Sequence, residues 1–149
     1  MLMHLLTGHA ECWAPEIHAS IKEERYIEGG RIMDTKQVVT SYHNAWTGGD
    51  VKAARVYLAD DLHFQGSIDT FRRADDFIVA LTGFQKMLRR VNLIQSFYSE
   101  SGAALLYDCD TMSPAGVIRT AEFFTVVQGK IKAISLVFDA TELRKLMAG

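Results

Sequence analysis

An α+β fold is the architecture this 149-residue sequence predicts, and three observations carry it. Apolar residues recur at helical spacing through much of the first half. Strand-like runs fill the second half, and the turns between them are too short for parallel crossovers, so they read as an antiparallel meander. Helices first and hairpins afterwards lay three helices on the concave face of a strongly curved sheet.

Residues 1 to 33 differ from the rest. They hold three of the five histidines, one of the two prolines, and the charged run KEERYIEGGR with its Gly29–Gly30 pair, which marks a boundary. Two readings stand for this segment. Ile17, Ile21 and Tyr26 can share one side of a short helix after Pro15, making an arm that packs on the body or on a neighbouring subunit. Alternatively, Met33 is the biological start. Residues 34 to 149 form the single domain in either case.

Asp34, followed three residues later by Gln37, is a capping pair. Val38, Tyr42, Ala45 and Trp46 then recur at helical spacing until Gly48 and Gly49. Asp50 caps a second helix with Val51, Ala54, Tyr57 and Leu58 on its apolar face. Leu62 to Gly66 alternates as a strand. Phe77, Leu81, Phe84 and Leu88 mark a third helix starting near Asp75. Strands are expected over 91–98, 103–110, 117–127 and 131–138, separated by Ser101-Gly102, Ser113-Pro114-Ala115-Gly116 and Gln128-Gly129. Asp139 ahead of Ala140, Thr141 and Glu142 suits the start of a short last helix.

Composition narrows the function classes. A net charge of -2 and a pI near 6.2 leave no nucleic-acid footprint. Arg72, Arg73, Lys86, Arg89 and Arg90 fall where a helix faces water. Cys12 and Cys109 match no metal, haem or disulfide spacing, which fits a reducing, cytoplasmic setting. The opening MLMHLL is too short for a secretory core, and no stretch is long enough to cross a membrane. Asp108 and Asp110 are too sparse for a metal site, and no cofactor is expected.

The run VVTSYHNAWTGGDVKAARVYLADDLHF, with the later AEFFTVVQGKIKAISLVFD, resembles the nuclear-transport-factor-two-like superfamily, and within it the SnoaL-like group. The matched segments span roughly Asp34 to Asp139. The resemblance implies a cone with one apolar pocket, a small hydrophobic ligand, and a homodimer paired through the outer face of the sheet, where Phe123 beside Phe124 and Leu105 beside Leu106 put apolar residues on both sides. It leaves the activity open, because this scaffold hosts isomerases, cyclases, hydrolases and non-catalytic modules.

Comparison with ketosteroid isomerase places Tyr42 on the oxyanion-hole tyrosine and Glu122 near the protonated acid, one methylene longer. The base position falls on Gly66, which has no acceptor, so that mechanism does not transfer whole. The limonene epoxide hydrolase triad has no counterpart: Ala121 stands two residues after Arg119, and Leu136 occupies the approximate site of the other aspartate.

Strand parity is an independent guide, since side chains two apart share a face. With Glu122 inward, Ile118, Thr120 and Phe124 join it, Ile134, Leu136 and Phe138 come from the next strand, and Leu62, Phe64 and Gly66 complete the lining. The candidate catalytic residues are therefore Glu122 as acid or base and Tyr42 as hydrogen-bond donor. Ligand contacts are expected from Trp46, Phe64, Tyr107, Thr120, Phe124, Leu136 and Phe138. Each has a plainer alternative. Tyr42 can be a core tyrosine, Trp46 a wall, Tyr107 can face the helices, and Glu122 can be the cross-strand partner of an Arg or Lys. His63, between Leu62 and Phe64, should point away from the pocket.

Overall fold

The computed structural model describes residues 27–28 and 31–149, with side chains from Met33 onward. The expectations placed on Cys12, Ile17, Ile21 and Tyr26 lie outside the described residues. A two-stranded ribbon, β1 (Ile27–Glu28) and β2 (Arg31–Ile32), precedes the domain.

Helix α1 (Thr35–Thr47) begins on the expected capping box: the Gln37 N–H donates to Asp34 Oδ1 at 2.8 Å, and the Asp34 N–H donates to Gln37 Oε1 at 3.0 Å. Its buried stripe of Val38, Val39, Tyr42, His43 and Trp46 faces the sheet. The chain then turns through Gly49, whose φ of 93° suits glycine. Asp50 caps the short α2 (Val51–Arg55) through the Ala53 N–H at 2.8 Å.

Leu58 leaves the helical pattern earlier than expected and opens β3 (Leu58–Gln65). The reason is tertiary. Its backbone pairs with Ile131, and the Ile131 N–H donates to the Tyr57 carbonyl at 2.8 Å, so the sheet takes this segment before a second helical turn can form. A two-residue β4 (Thr70–Phe71) folds back on β3 ahead of α3 (Ala74–Gln85). Leu88, placed in the third helix by spacing, instead begins β5 (Leu88–Tyr98).

The meander β5, β6 (Gly102–Thr111), β7 (Val117–Val127) and β8 (Lys130–Phe138) is antiparallel as expected. The sheet order is β4-β3-β8-β7-β6-β5, and β3 joins β8 in parallel, so the sheet is mixed rather than purely antiparallel. No turn links β3 to β8, and local turn signals therefore carry no information about their relative direction. Register shifts within β5, β7 and β3 accompany the curvature. Helix α1 packs across β5 to β8, and α3 packs on β3.

Helix α4 (Thr141–Ala148) closes the chain. Asp139 accepts from the Thr141 N–H at 3.0 Å and from the Thr141 hydroxyl at 2.6 Å, fixing the helix entry. On the outer face, Arg119 grips Asp108 with two bonds of 2.8 and 2.9 Å, and Asp110 faces Arg89 and Arg90. Among the described residues, no helix is long and apolar enough to cross a membrane.

Candidate functional site

Between the helices and the concave face of the sheet lies a cavity of about 560 Å³. Strand alternation builds its floor. Along β7, Ile118, Thr120, Glu122, Phe124 and Val126 are buried while their neighbours face out, as parity requires. Tyr107 and Cys109 come from β6, Leu136 and Phe138 from β8, and Phe64 from β3. Tyr42 and Trp46, four apart on α1, form the opposite wall. Of the residues expected in the lining, Leu62, Phe124 and Ile134 stay out of it, in the core behind; Phe124 packs against Tyr42, ring centroids 5.9 Å apart at 70°.

Glu122 is 1% exposed and sits opposite Leu105 and Leu136 in the sheet. Its partner is the Tyr107 hydroxyl, which donates to Oε1 at 3.1 Å. That contact runs diagonally, since Tyr107 pairs with Thr120 in the register. Among the described residues, the cavity lining holds no lysine, arginine or histidine. With no cation to offset desolvation, burial raises the Glu122 pKa to about 8, and the Tyr107 bond only partly opposes the rise. Glu122 is therefore a neutral acid near pH 7.

Burial also drives the Tyr42 and Tyr107 hydroxyls well above their usual range, with Glu122 adding to the effect, so both remain donors. Among the described residues, three buried polar atoms have no partner: the Tyr42 hydroxyl, Trp46 Nε1 and His43 Nδ1. Such groups cost stability unless something meets them. Tyr42 and Trp46 line the cavity, and the indole N–H can only donate.

His43 escaped the sequence reading. It is 5% exposed and wedges edge-on against Trp46 and Tyr107, at 5.6 and 5.2 Å between centroids, which places it behind the wall. Burial lowers its pKa to about 4, so it is neutral at pH 7. The signal was present: His43 falls four after Val39 and three before Trp46, on the buried stripe. His63 is exposed, as parity predicts.

Gly66 lies in the lining, and its lack of a side chain is structural as well as chemical. A Cβ there would meet the Phe64 ring at 2.9 Å, and that ring is stacked on Phe77 at 4.4 Å. The cavity's second carboxylate, Asp69, sits at the exposed rim. Cys109 is buried, and burial pushes its thiol up to about 12, so it is not a nucleophile at neutral pH. Among the described residues, no group of His, Cys, Asp and Glu could hold a metal ion.

No family model and no curated protein matches this chain. Solved structures do. A protein from Kribbella flavida DSM 17836 is 27% identical, with a TM-score of 0.69 over 74% of this chain and 91% of its own. An NTF2-like protein of unknown function from Cytophaga hutchinsonii ATCC 33406 is 16% identical, with a TM-score of 0.66 over 75% and 96%. A protein from Catenulispora acidiphila DSM 44928 with a ketosteroid isomerase-like fold, solved in complex with trimethylamine, is 16% identical, with a TM-score of 0.57 over 68% and 84%. These likenesses establish the nuclear-transport-factor-two-like cone fold.

Proposed function

We propose that this pocket domain is a cofactor-independent enzyme of the isomerase, cyclase or hydrolase type acting on a small hydrophobic molecule. Glu122 serves as its acid or base, and Tyr42 as the donor that polarises a ligand oxygen. One observation carries the reading: a carboxyl group buried in an apolar cavity where, among the described residues, it meets no cation and no structural partner beyond Tyr107, so that its burial costs stability. Tyr107 joins the site as the residue that orients Glu122, leaving the other carboxyl oxygen to the ligand. Carbon-13 NMR titration of Glu122 tests this directly. A midpoint near 8 is expected; one in the ordinary carboxylate range would place the group in water and remove the site.

Ligand binding without turnover is the second reading, favoured by Gly66, which supplies no acceptor at the position where the resemblance implies a base. A co-purified ligand seen by native mass spectrometry and released chemically unchanged would favour it.

The partner proposal is a homodimer through the outer face of the sheet. Phe97, Phe123 and Val137 are 61%, 51% and 55% exposed there. The register sets Phe97, Ala104 and Phe123 in one row, with Leu106, Ala121 and Val137 in the adjacent row. A contiguous apolar patch of this kind marks an interaction surface. Sedimentation equilibrium at micromolar concentration should show a dimer, and Phe123→Asp should shift it to monomer. A wild-type monomer at that concentration would refute the pairing.

A further inference from the structure

The inner end of the cavity holds its buried polar groups, whereas part of its rim is apolar and open. Val79 on α3 and Leu146 and Met147 on α4 all line the cavity, yet they are 74%, 45% and 68% exposed. Leu143, Leu146 and Met147 stand at i, i+3 and i+4, so they share one face of α4. That helix buries no residue of its own. Among the described residues, one side-chain hydrogen bond ties it to the body, from Arg144 to the Ser67 carbonyl at 2.8 Å. Leu143 packs on the core, but among the described residues nothing takes Leu146 and Met147 out of water, and the cavity leads straight to them.

The buried polar groups specify the other end. Tyr42 and Trp46 line the cavity and carry buried donors with no partner among the described residues, and Glu122 is uncharged near pH 7. An anionic ligand group would be buried without a cation. An ammonium group would leave the indole N–H unmet, because that group accepts nothing from a donor. A neutral acceptor oxygen satisfies both conditions.

Resting on the reading of Glu122 and Tyr42 given above, we infer that the pocket takes an elongated ligand: one neutral acceptor group at the buried head, and an apolar tail that ends between α3 and α4 against Leu146 and Met147. These two residues set tail-length specificity and take no part in the head's recognition.

A homologous series of 2-alkanones, titrated against the full chain by isothermal calorimetry, tests the inference. Affinity should rise by about three- to fourfold per added methylene and then level off once the tail passes the rim. The double variant Leu146→Ser/Met147→Ser changes exposed side chains, so the fold should be retained. It should weaken the longest probes by about tenfold, leave the shortest unchanged, and move the plateau to shorter chains. Equal weakening across the series, or none at all, would overturn the tail assignment. The head is judged separately with n-alkylamines and n-alkanoates of matched length. Tighter binding of either would refute the neutral-acceptor head and the reading of Glu122 and Tyr42 beneath it, while the response to the rim variant would still decide the tail.

Discussion

On the proposed reading, Glu122→Gln should lower any acid–base turnover by about 100-fold or more while preserving the fold, because the amide keeps the shape and a donor but cannot exchange a proton. The same substitution should change how stability depends on pH. A carboxyl raised to about 8 from 4.5 binds its proton more tightly in the folded state, so its contribution is fully present below pH 4.5 and is lost as pH rises to 8. His43 has the opposite slope. Lowered to about 4 from 6.5, it destabilises the fold in acid, and that cost disappears as pH rises to 6.5. The two slopes offset each other between pH 4.5 and 6.5. Above 6.5 the Glu122 slope stands alone and removes about 2 kcal/mol by pH 8. Urea denaturation of the wild type should therefore show a plateau and then a fall. Glu122→Gln should show a rise and then a plateau. Parallel pH profiles for the two proteins would place Glu122 in contact with solvent.

Trp46→Ala is expected to cost about 3–5 kcal/mol of stability, the range for emptying a buried aromatic site. Trp46 is 2% exposed, and its ring sits against His43 and Tyr107, at 5.6 and 6.0 Å between centroids. The site has little means of collapsing, because one side already borders the cavity and His43 loses an edge contact on the other. Tyr107, whose hydroxyl donates to Glu122, then loses its edge contact with the indole, so on the proposed reading ligand affinity should fall together with the melting temperature. A loss under about 1 kcal/mol in equilibrium unfolding would show that the indole is a removable part of the wall.

Sequence by itself determined the features that local chemistry controls. The Asp34–Gln37 box and the Asp50 cap were legible because capping is a matter of residue type and spacing over four positions. The inward set on β7 followed from period-two alternation, which made Glu122 conspicuous inside AEFFTVV. Tertiary structure decided what depends on partners distant in the chain. It ended α2 early, because Leu58 and Tyr57 pair with the Ile131 segment of β8. It set β3 parallel to β8, a direction no turn encodes. It gave Glu122 a tyrosine rather than a cation, because the register of β6 on β7 brings Tyr107 diagonally across while Arg119 and Asp108 pair on the opposite face. It also turned the last helix toward the cavity mouth: the spacing of Leu143, Leu146 and Met147 shows that α4 has an apolar face, and only the packed fold shows what that face overlooks.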